Sequence, residues 1–261
     1  MKENTEEVIG SRQAAVSVVM PAYNAEKTIA ASIESVLNQS YQNFEIIIID
    51  DGSADQTLQI AMECRMRDPR IRVLRNMRNF GVAIARNHGI REAQGKYIAL
   101  LDSDDIWEPD KLKRQMKLAR EENAEIVYCS YDFVDEDGNS MKRPFIVPVR
   151  TDFDAMLTKS VISCSTALID ARLLKENPFE PSVYHEDYAL WMKLLSRSVK
   201  AVGDPKVLMH YRQSTGSRNA KKLRSAIERW KIYRGYLHLG FWRSVKSFLL
   251  YTMNGVKKYG I

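Results

Sequence analysis

The feature that most limits this chain is an alternation. Short apolar runs, VSVVM (16–20), FEIIIID (44–50), IRVL (71–74) and KYIALLD (96–102), recur with helix-like stretches between them. An apolar run without polar breaks reads as a strand covered on both faces, the pattern of a parallel sheet. Between the first two runs, Ile29, Ile33, Val36 and Leu37 fall at i, i+4, i+7 and i+8, the stripe of an amphipathic helix. Residues 55–67 and 81–94 read as two more helices. This β-α-β-α order predicts an α/β fold, an open, doubly wound, Rossmann-like sheet flanked by helices.

Beyond Asp110 another helix carries Leu112, Met116 and Ala119 on one side. EIVYCS (125–130), VISCSTALID (161–170) and KVLMHYR (206–212) read as further strands, with a turn at Asp137-Gly138-Asn139. Asp187–Ser198 reads as a helix rich in Leu, Met and Trp. No Pro/Gly/Ser linker divides the chain. The expected organisation is a loose tail (1–14), two halves of one domain (15–115 and 116–215) and a basic amphipathic helical extension (216–261).

At 261 residues, 45% apolar and 28% charged, the chain can bury a sizeable core and has an ordinary globular composition. Its apolar stretches are too short to span a bilayer, and its first residues have no secretory character. Cys64, Cys129 and Cys164 are widely spaced and in no CxxC pair, so free thiols in a reducing compartment are expected. A cytoplasmic location follows. Charge is unevenly divided: residues 206–261 hold 13 Lys/Arg against one acid, while the rest holds 26 against 32. A basic appendage of this kind suits a polyanion, nucleic acid or an acidic membrane surface.

In open α/β sheets ligands bind beyond the carboxyl ends of the strands. Three such ends carry unusual residues: Pro21-Ala22-Tyr23-Asn24, Asp50-Asp51-Gly52-Ser53 and Asp102-Ser103-Asp104-Asp105. Asp102 and Asp104 are one residue apart, so in extended backbone they point the same way. Two hard oxygen ligands on one side suit Mg²⁺ or Mn²⁺. The plain alternative is that Asp104 or Asp105 starts the helix entered near Pro109. Asp-Gly at 51–52 is ordinary turn chemistry, or a carboxylate that accepts from a nucleobase N–H. Tyr23 could present its ring to a base or belong to the core. HEDY (185–188) is either a helix start favoured by the dipole or a source of a general base. After the last strand, His210, Arg212 and Arg218 lie in a Ser/Thr/Gly loop that could close over a diphosphate or simply be solvated.

Taken together, these motifs resemble glycosyltransferase family 2, the inverting nucleotide-sugar enzymes with the GT-A fold. The matching stretches are "VSVVMPAYNAEKTIAASIESVLNQSYQNFEIIIIDDGSADQT", "NFGVAIARNHGIREAQGKYIALLDSDDIWEPDKL" and "HEDYALWMKLL". The resemblance implies that Pro21, Ala22, Tyr23 and Asp51 line a nucleoside pocket and that Arg86 lies near the donor diphosphate. It makes Asp102 and Asp104 the metal ligands for Mn²⁺ or Mg²⁺, with Ser103 between them on the donor side. Asp187 becomes the expected base, with Glu186 second. His210 and Arg212 match the family's closing loop less tightly; Arg212 is a candidate donor contact and His210 a candidate further ligand, against the reading of a satisfied structural histidine.

The implied reaction moves one sugar from a nucleoside-diphosphate sugar to a hydroxyl of a glycan or lipid-linked acceptor in bacterial surface-polysaccharide synthesis. UDP-hexose or UDP-N-acetylhexosamine is the default donor, with thymidine and guanosine diphosphates still open. Residues 219–261, with Leu223, Ile227, Trp230, Leu237 and Phe241 on one helical side, fit an anionic membrane surface at the inner face of the cytoplasmic membrane. The competing reading packs those apolar faces on the catalytic domain. No base-reading module accompanies the charge, so nucleic acid is not expected; homo-oligomerisation stays open. A non-catalytic nucleotide-sugar-binding or membrane-docking protein and a sugar nucleotidyltransferase are the rivals. The nucleotidyltransferase is disfavoured because PAYNAEKT, after the first strand, contains no glycine.

Overall fold

The computed structural model describes residues 14–135, 138–141, 143–213 and 218–259, without the side chains of 218–223 and 255–259. Most of the expected tail, Asp137 of the expected turn, residues 214–217 and the Arg218 side chain therefore lie outside the described residues.

Four parallel strands, β1 (Val16–Ala22), β2 (Phe44–Asp50), β3 (Ile71–Arg75) and β4 (Tyr97–Leu100), stand in the order β3-β2-β1-β4. Three helices connect them: α1 (Ile29–Leu37), α2 (Thr57–Arg67) and α3 (Val82–Glu92). Ile46 to Ile49 on β2 are all fully buried, as its unbroken apolar run requires. Burying each such side chain is worth about 1.5–3 kcal/mol. Helix α3 rides close to the sheet because Gly89 has no side chain; a Cβ there would stand 2.6 Å from Val19 and Ile49.

The remaining strands are β5 (Ile106–Trp107), β6 (Ile126–Val134), β7 (Arg150–Thr151), β8 (Leu168–Asp170) and β9 (Ala201–Arg212). They extend the sheet to β3-β2-β1-β4-β8-β6-β9-β5, with β7 paired to β9, nine strands among the described residues. Strand β8 is antiparallel to both neighbours, β4 and β6, so those two run the same way. Strand β9 is parallel to β6. The carboxyl ends of β1, β2, β4, β6 and β9 thus share one rim. Only Leu168–Asp170 of VISCSTALID is strand; Cys164–Thr166 form a 3-10 turn, because the chain there is tied to the loop beyond β4 rather than to a neighbouring strand.

Helix α4 (Lys111–Glu121) buries Leu112, Gln115, Met116 and Ala119, as its periodicity demands. Helices α5 (Phe153–Thr158), α6 (Ala171–Glu176) and α7 (Glu186–Leu195) follow. Beyond β9 come α8 (Arg218–Lys231), one π-helical turn (Ile232–Tyr236) and α9 (Phe241–Tyr259). This extension is fastened to the domain. Ile232 and Tyr233 are buried, Tyr233 donates to the Leu157 carbonyl, and Asn254 Nδ2 donates to the Thr158 carbonyl at 3.1 Å. No helix of the described residues is long and apolar enough to cross a membrane.

Gly52 is where the rim is tightest. Its φ is +74°, and a Cβ would lie 2.6 Å from the backbone of Arg78. Gly52→Ala should lower unfolding free energy by about 1–3 kcal/mol, through left-handed strain and displacement of the facing loop; urea denaturation reads this directly.

Candidate active site

The rim is assembled by hydrogen bonds between loops far apart in sequence. After β1 the chain turns at Asn24, whose φ is +48°. Asn24 N donates to Ser53 Oγ at 3.0 Å, and Ala54 N donates back to Asn24 Oδ1 at 3.0 Å. Ala25 N donates to Thr57 Oγ1 at 2.7 Å. Pro21 and Ala22 are buried at the end of β1, while Tyr23 projects, 48% exposed. The aromatic ring is therefore a rim group, not a core one.

Asp51 is buried and already accepts three hydrogen bonds: from Asn76 Nδ2 at 2.6 Å, Phe80 N at 3.1 Å and Gly81 N at 2.8 Å. This carboxylate folds the 76–81 loop against the rim. Asn76 is held in turn by His88 of α3, at 2.9 Å.

The acidic loop after β4 carries Asp102, Ser103, Asp104 and Asp105. Asp102 N donates to Ser165 Oγ at 3.1 Å, and Trp107 Nε1 donates to the Ser165 carbonyl at 2.8 Å. Ser165 is buried in the 3-10 turn and fastens both ends of the loop. Asp102 and Ser103 are partly exposed and Asp104 reaches solvent. Even so, the surrounding chain removes enough water from Asp104, and Asp102 stands close enough, to push its carboxyl up to about 6. Asp105 is buried, and burial with its two acidic neighbours raises its pKa well above the carboxylate range. Its Oδ1 accepts from Arg212 N at 3.2 Å, while Oδ2 has no partner. Excess negative charge is concentrated here. Among the described residues no group of three or more His, Cys, Asp or Glu could hold a metal unaided.

Arg86, on α3, joins this loop to α7. Its Nη2 donates to Asp102 Oδ1 at 2.6 Å and its Nη1 to Glu186 Oε1 at 2.7 Å. The guanidinium is 4% exposed and lies 5.3 Å from the Phe179 ring centroid. Burial opposes its charge, but Asp102 and Glu186 outweigh burial and hold the proton more firmly than usual. Glu186, in the first turn of α7, has its pKa raised by burial and by the Asp187 charge, with Arg86 working against both. Asp187, beside it, is partly exposed and, among the described residues, accepts from the Tyr188 N alone, at 2.7 Å. Of the HEDY carboxylates, Glu186 is clasped and Asp187 is the freer.

Arg212 lies against the same loop, its Nε donating to the Asp104 carbonyl at 3.0 Å. His210 does not join it. Its Nδ1 meets Asp132 Oδ1 at 2.6 Å and its Nε2 meets Glu108 Oε1 at 2.8 Å. Both ring nitrogens meet carboxylates, so His210 here makes the contacts of a structural histidine and not those of the further ligand. The structure thus brings Tyr23, Asp51, Asp102, Ser103, Asp104 and Arg212 to one rim, with Glu186 and Asp187 linked to it through Arg86. Ser165, Glu108 and Asp132 are further members of this network that no sequence motif announces. Nothing local marks them, since their partners lie 63 to 102 residues away.

Comparison with known proteins identifies the family and the fold. The model of Glycosyl transferase family 2 matches residues 17–177. The putative teichuronic acid biosynthesis glycosyltransferase TuaG of Bacillus subtilis is 34% identical over 243 residues, 93% of this chain and 96% of that protein. The Escherichia coli UDP-Glc:alpha-D-GlcNAc-diphosphoundecaprenol beta-1,3-glucosyltransferase WfgD is 36% identical over 94% of each chain. Among solved structures, S. aureus TarS in complex with UDP-GlcNAc aligns with a TM-score of 0.70 at 22% identity, over 84% of this chain and 64% of that one. The mannosyltransferase PcManGT from Pyrobaculum calidifontis, in complex with GDP-Man and Mn²⁺, aligns with a TM-score of 0.67 at 20% identity, over 88% and 66%. These two likenesses establish the GT-A fold of the chain, which spans about two thirds of the length of each neighbour.

The His210 clasp has a pH signature. Burial alone would lower its pKa, but Asp132 and Glu108 win and raise it above the ordinary 6.5. A raised folded pKa means the stabilisation is complete below pH 6.5 and is lost as pH rises through the folded value. His210→Gln should therefore flatten the alkaline-side fall in melting temperature, measured across that window.

Proposed function

The chain belongs to glycosyl transferase family 2 and is a glycosyltransferase, and on that premise we propose that it moves one sugar from a UDP-sugar to a hydroxyl of a lipid-linked glycan acceptor, with inversion. One observation carries the reading: the Asp102–Arg86–Glu186 clasp joins the acidic rim to the first turn of α7 and leaves the neighbouring Asp187 available. A donor-side charge cluster and a carboxylate base are thereby held in fixed relation, which positioned catalysis requires.

In this mechanism Pro21, Ala22 and Tyr23 border the nucleoside, and Asp51 shapes the same pocket through the 76–81 loop. Arg212 stands beside the acidic loop to meet the diphosphate. Arg86 is a positioning residue rather than a direct phosphate ligand. Asp187 accepts the proton of the acceptor hydroxyl as that oxygen attacks the anomeric carbon and the nucleoside diphosphate departs.

Glycosyltransferases of this fold generally use a divalent metal, and the donor set here suits Mn²⁺ or Mg²⁺. Asp102 and Asp104 offer hard oxygens, and because burial and the Asp102 charge disfavour the charged form of Asp104, a cation there would stabilise it. Two carboxylates fall short of a full coordination shell, which leaves places for oxygens of the donor diphosphate. When bound, such an ion supplies Lewis-acid neutralisation of the departing diphosphate.

The UDP assignment is supported by the UDP-Glc named for the Escherichia coli relative and the UDP-GlcNAc bound by TarS. The diphosphoundecaprenol in that relative's name supports a lipid-linked acceptor, and the teichuronic acid pathway named for the Bacillus relative supports a surface polysaccharide as the product. Segment 219–261, basic and held against α7 through Arg229, would then meet an anionic membrane surface on the cytoplasmic side.

Two variants test this. Asp187→Asn should bind donor as the parent does and lose about a hundred- to ten-thousandfold in turnover; unchanged turnover in a single-turnover assay removes Asp187 from the mechanism. Asp104→Ala should abolish the rise in melting temperature that Mn²⁺ with UDP-sugar gives the parent. A retained Mn²⁺-dependent shift would place the cation elsewhere.

A further inference from the structure

Helix α9 carries large apolar residues on both of its sides. Its buried side carries Ser244 and Ser247, with Ser244 Oγ donating to the Gly240 carbonyl at 3.0 Å and Asn254 reaching the Thr158 carbonyl. Its outer side carries Trp242, Leu249 and Met253, which are 80%, 58% and 60% exposed. Positions 242, 249 and 253 fall on one stripe of a 3.6-residue helix, with Val245 and Lys246 among them and Leu250 at the edge. A helix that merely completes a soluble domain turns its large apolar residues inward. Here Phe248 and Tyr251 share the inner side with Ser244 and Ser247, yet a second set of large apolar groups, Trp242, Leu249 and Met253, is left outside.

Helix α8 and the π turn behave otherwise. Trp230 packs on Phe248 and Phe241, and Ile232 and Tyr233 are buried. Apart from Ile227 on α8, which is 50% exposed, the large apolar side chains left outside among the described residues of this extension belong to α9. Its setting is positive: Lys246 is exposed within the stripe, Arg243 beside it pairs with Asp154, and residues 206–261 hold 13 Lys/Arg against one acid. A second copy on this face would press like charges together, whereas anionic headgroups complement them. Trp242, an amphipathic ring at the start of the stripe, suits the boundary between headgroups and acyl chains.

We propose that the outward stripe of α9, Trp242, Leu249 and Met253 with Lys246 among them, lies in the interface of an anionic bilayer. This rests on, and narrows, the reading that segment 219–261 meets a membrane. It also gives the docked enzyme an orientation. Arg229 of α8 is buried between the ring of Tyr188 on α7, at 3.3 Å, and that of Tyr251 on α9, at 4.4 Å. The helix that carries Glu186 and Asp187 is thereby fixed relative to the lipid surface, at the leaflet where a lipid-linked acceptor is presented.

The test uses the full chain and vesicles of phosphatidylglycerol with phosphatidylethanolamine, against vesicles of phosphatidylcholine alone. Flotation should recover the parent with the anionic vesicles. Tryptophan emission should shift to the blue, because Trp107 and Trp191 are buried and Trp230 is packed against two phenylalanines. The variant Trp242→Ser/Leu249→Ser/Met253→Ser should keep its melting temperature and lose about tenfold or more in vesicle binding. If the parent binds and this variant binds equally, the stripe is not the docking face, although the broader membrane reading survives. A parent that binds no vesicle defeats both. Concentration-dependent dimers that the variant disperses would name a second copy as the occupant and overturn the proposal.

Discussion

The rest of the site depends on one buried guanidinium. Asp102, Asp104 and Asp105 leave one strand, Glu186 and Asp187 open a helix, and all would repel if brought together unaided. Arg86 reconciles them by donating to both sides from a position that water hardly reaches. Burying such a charge is costly, and its Nε has no partner. Two short bonds to carboxylates and the Phe179 face offset that cost. Removing the guanidinium would leave two acids with no counter-charge, which is worse than never having paired them.

The clasp works only because α3 is rigidly seated. Gly89 lets the helix approach the sheet, and Asn87 grips the Phe179 segment through two bonds, Nδ2 to the Phe179 carbonyl at 2.8 Å and Phe179 N to its Oδ1 at 2.9 Å. His88, between them in sequence, steadies the Asn76 side chain that Asp51 uses. Three consecutive residues thus serve three separate parts of the site from one turn of helix.

This explains what could be read in advance. Features set by neighbours in sequence were legible: the unbroken run of β2, the stripe of α1, the Leu112/Met116/Ala119 face of α4, and the acidic loop beyond β4. Features set by distant partners were not. His210 gave no sign that Asp132 and Glu108 would take both nitrogens. VISCSTALID looked like a strand because its composition suits one, yet Ser165 is used to tie the acidic loop. Lys111 would be placed in water by any local rule; it is buried, donating to Gln115 Oε1 at 2.8 Å and standing 3.9 Å from the Trp107 ring centroid, and its pKa falls to about 8 for lack of solvation. The basic extension was recognised by its charge, but sequence could not tell which of its faces packs and which stays outside.

Arg229 has a consequence for how such chains can be cut and joined. Its Nε and Nη1 are buried without hydrogen-bond partners, and its charge is met instead by the rings of Tyr188 and Tyr251. Only one of those rings belongs to the core domain. A splice that exchanged everything after β9 for another module would uncover Tyr188 and the start of the catalytic helix. The extension is therefore not a tag that can be swapped freely: whatever replaces it must also cover the Tyr188 ring that Arg229 now caps.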